Sequence, residues 1–307
     1  MSKRPGLEAP ESAAAGAFRC GQVAIVGRPS VGKSTLVNAL VGARISITSK
    51  RPQTTRYRIR GILTTVAAQF IFVDTPGFQA HYRSRLNERM NRAVRDSLAD
   101  VDVIVVVVDA ARLTEADRDV LALLPDGVPV IVAVNKVDRL PDKTRLLPLL
   151  ATIGAARDFA AIVPISAEKG WQLDALTAEI AGRLPPGPGL YAADDLTDRD
   201  ERFLAAEYLR EKIFRLLGDE VPYAAAVVID TFAHEADLRR IHATVFVEKA
   251  SQRAILLGEG GARMKAIASA ARRDMERMFG GKVFLEVWVR VKSGWANDER
   301  MLTRLGY

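Results

Sequence analysis

Val23-Ala24-Ile25-Val26-Gly27-Arg28-Pro29-Ser30-Val31-Gly32-Lys33-Ser34-Thr35-Leu36 is the stretch on which the reading of this chain turns. Its first four residues form the apolar run that a buried strand needs, and a helical pattern resumes after Lys33. Between them, Gly27 to Ser34 fits G-x-x-x-x-G-K-[ST], the phosphate-binding loop. Its glycines let the backbone curl until successive N–H groups face an anion, and the following helix adds the positive end of its dipole. Lys33 is expected to reach the β- and γ-phosphates and neutralise charge developing there, and Ser34 to bind Mg²⁺. Gly27, Ser30, Val31, Gly32 and Thr35 complete the candidate nucleotide cradle.

Downstream, residues 49–56 (SKRPQTTR) show neither helical nor alternating periodicity and read as a mobile loop. A nucleotide switch places its second Mg²⁺ ligand on a threonine in such a loop; Thr55 is preferred, with Thr54 the alternative. Strands are expected over 59–66 and 68–73, the second ending in Asp74-Thr75-Pro76-Gly77. Asp74 suits the Mg²⁺ shell through water, and Gly77 can bring its N–H to a γ-phosphate. The near-pure Val/Ile run over 102–108 reads as a central parallel strand buried on both faces, closed by Asp109 as a turn residue. Thr114 is expected to cap a helix. The next strand, 129–134, delivers Asn135-Lys136-Val137-Asp138. The Asp138 carboxylate can accept from guanine N1–H and N2–H₂, a donor pair adenine lacks. Asn135 is expected to brace the loops and the Lys136 stem to cover the base. After a strand over 161–165 comes Ser166-Ala167, whose Ala167 N–H can meet guanine O6. Strands alternating with helices over 21–184 predict a doubly wound α/β domain with a mostly parallel sheet. Every motif falls just after a strand, where such sheets bind ligands.

Composition bounds the rest. At 307 residues and 49% hydrophobic, the chain suits two domains with real cores. No segment approaches eighteen consecutive apolar residues. The start, MSKRPGLEAPESAAAGAF, lacks an apolar secretory core; residues 1–20 read as a disordered tail. A single cysteine, Cys20, excludes an intrachain disulfide and a cysteine-built zinc site, and fits a reducing, cytoplasmic setting. The net charge of +7 is uneven: residues 1–20 carry +1, 21–100 carry +9, 101–198 carry −6 and 199–307 carry +3. A polyanion larger than a nucleotide fits the basic face around the loop, although a merely solvated face fits equally well.

Leu184-Pro185-Pro186-Gly187-Pro188-Gly189 cannot be helix or inner strand, so 185–198 reads as a linker. Beyond it, 199–307 is expected to run helix, two strands, two helices and a strand, with Gly258-Glu259-Gly260-Gly261 between the last two helices. That order with G-x-x-G is the pattern of a KH domain, here of type II, a smaller α+β unit that clamps about four single-stranded nucleotides. Arg253, Gly258, Glu259, Gly260, Gly261, Arg263 and Lys265 are its candidate RNA-binding residues.

A single guanine-nucleotide domain followed by a KH domain resembles the Era family of GTPases. ISITSKRPQTTRYRIRGI, DTPGF, TDRDERFLAAEYLREKIF, EVPYAAAVVID and VFLEVWVRVKSGW all look like Era sequence, and the resemblance covers about residues 21–295. It implies a cytoplasmic, monomeric GTP/GDP- and Mg²⁺-dependent switch. Such a switch binds the 3′ end of small-subunit (16S) ribosomal RNA and assists maturation of the 30S subunit. Some members associate peripherally with the inner membrane, which makes weak membrane association part of what the resemblance implies.

Two features depart from the family. Many relatives carry Asn at Ser30, where it helps to hold K⁺, so Ser30 argues against potassium dependence. In the KH loop, relatives commonly carry a basic or amide side chain where this chain has Glu259 and Gly260. Shared with the family is Phe78 after the DxxG glycine, where small signalling GTPases place a water-orienting glutamine. A phenyl ring cannot hydrogen-bond water, so a slow intrinsic rate is expected, on the order of 10⁻⁴ to 10⁻² s⁻¹. Arg51, Arg56 and Arg58 lie near the site, but exposed loop arginines more often meet RNA or solvent, and none is assigned catalysis. The rival reading is an RNA-binding module whose nucleotide domain binds without useful turnover; a membrane-surface regulator ranks below both.

Overall fold

The computed structural model describes residues 17–49, 54–78, 84–217, 223 and 225–306. Strand β1 (Arg19–Val26) pairs in parallel with β3 (Ala68–Asp74) on one side and β4 (Val103–Asp109) on the other. β5 (Val130–Asn135) and β6 (Ala161–Pro164) continue the parallel sheet, and β2 (Ile59–Thr64) adds an antiparallel edge to β3. The order β2-β3-β1-β4-β5-β6 puts the topological switch point between β1 and β4, and the Gly27–Ser34 loop follows β1 there.

Strand β4 shows why its sequence lacks alternation. Val103, Val105 and Val107 face α1 (Lys33–Val41) and α5 (Leu173–Ala181). Ile104, Val106 and Val108 face α2 (Arg85–Ala99), α3 (Glu115–Leu121) and α4 (Leu146–Gly154). All six are essentially buried, each contributing roughly 1.5–3 kcal/mol. Thr114 caps α3 in a reciprocal capping box with Asp117, as the sequence led one to expect.

Two stretches differ from their sequence reading. Strand β1 begins at Arg19, inside the segment read as a tail, whose residues 1–16 lie outside the described residues. The 185–198 connector is laid along the sheet. Cys20 N–H donates to Pro185 O, Gly187 N–H to Phe18 O and Ile62 N–H to Leu196 O, at 2.9–3.1 Å. The buried Gln69 amide receives the Leu190 and Tyr191 N–H groups at 2.7 and 2.9 Å. A polar connector can be held this way because its orphan backbone groups find partners.

The second unit consists of α6 (Glu201–Leu216), β7 (Ala226–Glu235), β8 (Leu238–Val247), α7 (Ala250–Leu257), α8 (Ala262–Phe279) and β9 (Lys282–Val291). β7 and β8 are antiparallel, and β8 and β9 parallel, with β9 at the sheet edge. The helices cover one face around Leu209, Ile213, Val245, Ile267 and Met275. Trp295 and α9 (Glu299–Arg304), which follow the last strand, cover part of the other face together with Leu86 and Met90 of α2. Among the described residues no helix is long and apolar enough to cross a membrane.

Candidate functional site

At the β1–α1 junction the loop folds back on its own lysine. Lys33 Nζ donates to the Gly27 and Arg28 carbonyls at 3.0 Å each, and burial lowers its pKa to about 8. Gly32 has φ 106°, and a Cβ there would collide with Asn135 Nδ2. Asn135 Nδ2 instead donates to Val31 O at 2.9 Å, tying this loop to the one after β5. Ser30 lies at φ 65°, a left-handed conformation that Asn tolerates better than most residues. Arg28 is pinned to Asp117 at 3.0 Å, a partner whose only trace in the sequence is its capping-box spacing from Thr114.

Beside the lysine, a group of oxygens converges. Ser34 Oγ and Thr55 Oγ1 are 2.7 Å apart, whereas Thr54 Oγ1 lies 2.6 Å from Ser49 Oγ. The spacing is close to the ~2.9 Å edge of an octahedron with Mg²⁺–oxygen distances of about 2.0–2.1 Å. Asp74 is fully buried, and among the described residues neither carboxylate oxygen has a hydrogen-bond partner of good geometry. Burial raises its pKa to about 6, against the pull of Lys33 and the nearby Ser34 and Ser46 hydroxyls. An orphaned buried carboxylate next to two hydroxyls suits a hard divalent cation. Gly77 packs so closely that a Cβ would come within 2.8–2.9 Å of Pro29, so the DxxG turn lies directly on the phosphate loop. Phe78 is buried in the core with Val94 and Val106.

The loops after β5 and β6 build the other end. Asp138 Oδ1 accepts from Ser166 Oγ at 2.5 Å, fixing the carboxylate's orientation. Lys136 Nζ donates to Ser30 O and Asp109 Oδ2, both at 2.7 Å. Asp109, read from sequence as a turn residue alone, therefore also anchors Lys136. Ala167 N–H, expected to point at the base, donates to Asn135 Oδ1 at 2.9 Å; a contact to guanine O6 would have to share or displace that bond. A small cleft is bounded by residues including Ser30, Lys33, Ser34, Thr35, Thr55 and Gly77. It adjoins a larger one that reaches Lys136, Arg139 and Glu168.

One wall of the larger cleft was not legible in the sequence: it is Phe214 and Arg215 at the end of α6, in the second unit. Arg215 donates to Thr48 O and Oγ1 at 3.0 and 2.8 Å. The fully buried Glu211 accepts from Thr48 N–H at 3.0 Å and pairs with Arg44, Lys212 and Arg215. At the other end of the Thr55 segment, Arg56 is only 2% exposed. Its guanidinium donates to Ala225 O and Tyr223 O at 2.9 Å and lies 5.6 and 5.7 Å from the Phe214 and Trp295 rings. Arg56 is thus a strut between the units and not an exposed loop arginine, and Arg51 lies outside the described residues. Residues 50–53 of the loop read as mobile also lie outside them.

The second candidate site is the α7–α8 turn. Gly260 and Gly261 have φ 55° and 80°, and a Cβ on either would meet nothing within 4 Å, leaving their backbone open to a ligand. Gly258, at φ 70°, packs against Arg263. Arg253, Glu259, Arg263 and Lys265 are all exposed around this turn. Arg253 donates to Val289 O on the edge of β9 at 3.2 Å, and Arg263 to Ile255 O of α7.

Comparison with known proteins follows this division. A family model described as "50S ribosome-binding GTPase" matches residues 22–136, and one described as "KH domain" matches 220–296. GTPase Era of Nitrosomonas eutropha is 54% identical over 293 residues, spanning 95% of this chain and 99% of that protein. Its counterpart in Chromobacterium violaceum is 52% identical over 289 residues, spanning 94% and 98%. Among solved structures, a tyrosine-to-alanine variant of Aquifex aeolicus Era bound to GDP and AlF₄⁻ has a TM-score of 0.91 at 36% identity, covering 94% of this chain and 99% of that one. A complex of Era with MgGDPNP and nucleotides 1506–1542 of 16S ribosomal RNA matches with the same values.

Proposed function

The chain belongs to the Era family of GTPases, and from that membership we propose a switch that binds 16S ribosomal RNA near its 3′ end and assists maturation of the 30S subunit. It hydrolyses GTP to GDP and phosphate, and its KH domain carries the RNA contact. In this reading residues 21–184 form the nucleotide domain, 185–198 the linker and 199–307 the RNA-binding unit. One chain holds both sites, so no second copy is needed, and the cytoplasm is the compartment that fits this partner.

The observation that carries the switch is the pair Thr55 and Arg56. Thr55 Oγ1 sits 2.7 Å from Ser34 Oγ while the next residue is buried in the RNA-binding unit. Ser34 and Thr55 would hold Mg²⁺ directly and Asp74 through water; the ion, when bound, supplies positive charge to the phosphate oxygens. Lys33 adds a second cation at the β- and γ-phosphates, the Gly77 N–H a donor at the γ-phosphate, and the loop amides a fixed array of dipoles. Asp138 selects guanine, and the Asn135 bridge holds the two loops at the spacing one nucleotide spans. With Phe78 in the core, no side chain at that position orients the attacking water, so turnover is slow until a partner completes the site. GTP-bound protein grips RNA and hydrolysis resets it.

Two tests follow. Replacing Gly260 and Gly261 by Asp puts side chains and negative charge where RNA phosphate must approach. Filter binding to the 16S 3′ segment should fall at least tenfold while GTP affinity is unchanged, and wild-type binding should weaken steeply with salt. Unaltered RNA binding by the double variant would remove the KH assignment.

The other test concerns potassium. An Asn carbonyl reaches further than a Ser hydroxyl and is the better cation ligand. Intrinsic hydrolysis should therefore differ little between equal NaCl and KCl, and Ser30→Asn, which the left-handed backbone accepts, should make KCl stimulatory. A wild-type rate several-fold higher in KCl would overturn this.

A further inference from the structure

The stretch ISITSKRPQTTRYRIRGI, residues 45–62, supplies Thr55 and Arg56 to the switch, yet one deeply buried polar side chain in it has no task so far. Ser46 is 1% exposed, between the core residues Ile45 and Ile47. Among the described residues its hydroxyl has no hydrogen-bond partner of good geometry. A dry, unpaired hydroxyl costs free energy, and a native site that keeps one has a use for it.

The backbone around Ser46 is held from α1. Ser34 and Asn38 lie one turn apart on that helix and share a face. Asn38 Oδ1 accepts from the Ile45 and Ser46 N–H groups at 3.0 and 2.9 Å, and Asn38 Nδ2 donates to Ser46 O at 2.7 Å. One amide therefore fixes both main-chain polar groups of Ser46, while Ile45 and Ile47 anchor its flanks in the core. A segment clamped this way presents its hydroxyl in one place.

That place is beside Asp74. Strands β1 and β2 pair with Asp74 on either side, so the sheet sets its backbone and leaves open the rotation of its carboxylate. The donors close to that carboxylate are the Ser34 and Ser46 hydroxyls and the Thr75 N–H. Ser34 Oγ is engaged with Thr55, and the Thr75 N–H is fixed by the main chain. The Ser46 hydroxyl alone is free to turn onto a carboxylate oxygen. One bond between the two residues satisfies an orphaned oxygen on each and leaves the second Asp74 oxygen to serve the ion.

We propose that Ser46 is a positioning residue for the Mg²⁺ site: its hydroxyl donates to one Asp74 oxygen and holds the other toward the ion. The proposal rests on the reading of Ser34, Thr55 and Asp74 as the Mg²⁺ residues, and the test separates the two.

The affinity of a fluorescent GTP analogue, followed as Mg²⁺ is titrated, supplies that test. Wild type should bind the analogue more tightly as Mg²⁺ rises, and Asp74→Ala should lose much of that dependence. Ser46→Ala should raise the half-saturating Mg²⁺ concentration about tenfold, with affinity at saturating Mg²⁺ close to wild type. Ser46→Cys, close in shape but a poor donor, should behave as Ser46→Ala does. In an Asp74→Ala background Ser46→Ala should add nothing, because the two residues act as one unit. Each Ser46 variant should bind the 16S 3′ segment as wild type does, which reports an intact fold.

If neither Mg²⁺ nor Asp74→Ala changes binding of the analogue, the metal assignment fails and takes the proposal with it. If both do, but Ser46→Ala titrates as wild type, Ser46 has no positioning role. Wild-type behaviour of Ser46→Cys would also overturn the proposal, since a packing role needs only the volume. So would an undiminished effect of Ser46→Ala in the Asp74→Ala background, which would show that Ser46 acts through another group.

Discussion

Asp138→Asn is expected to weaken GTP binding by about 10²–10⁴-fold and to shift preference to xanthine nucleotides. Two hydrogen bonds from guanine N1–H and N2–H₂ to a carboxylate contribute about 1.5–3 kcal/mol each, and every 1.4 kcal/mol is a factor of ten. The structure indicates which atom changes. Ser166 Oγ–H donates to one carboxylate oxygen at 2.5 Å. In the variant the amide oxygen keeps that bond, and the new NH₂ group faces the base. Against guanine it opposes another donor; against xanthine it meets the C2 carbonyl. Competition of GDP and XDP for a fluorescent nucleotide on the variant checks this, and wild-type GTP affinity in Asp138→Asn would refute the guanine-site assignment.

Arg56→Ala is expected to abolish the difference in RNA affinity between GTP-analogue and GDP states while leaving GDP affinity within about twofold. The side chain is buried between the units, with two charge-assisted bonds to carbonyls and two aromatic neighbours. Removing it leaves a cavity and unpaired buried carbonyls, together about 3–5 kcal/mol of docking. Thr55, the adjacent residue, would then be free to reach Ser34 without drawing the RNA-binding unit with it. By reciprocity, RNA would also cease to strengthen GTP-analogue binding. Arg56→Lys should not rescue, because a single ammonium cannot match a guanidinium fork spanning two carbonyls. Fluorescence anisotropy of labelled RNA in both nucleotide states decides it; a variant that still tells GTP analogue from GDP as wild type does would show that the coupling runs elsewhere, as through the Glu211 and Arg215 contacts to Thr48.

The phosphate loop, the DxxG and NKxD turns, the parallel sheet and the G-x-x-G unit are all legible in the sequence. Each of these is specified by neighbours within a few residues. Glycines permit a turn, an apolar run demands burial, and a carboxylate after a strand falls at the sheet's ligand-binding edge. Tertiary structure alone decided that Thr55 and not Thr54 meets Ser34, that Asp109 holds Lys136, and that Ala167 N–H serves Asn135. It also decided that Arg56, Glu211 and Arg215 join the two units, and that Trp288 stays uncovered where Phe246 does not. These pairings link residues 20 to 170 positions apart, or depend on which half of a sheet face a distant helix covers. Local periodicity carries no information about either: within the nucleotide domain the pairings are set by how loops from different strands meet at the sheet edge, and between the units by how the two cores dock.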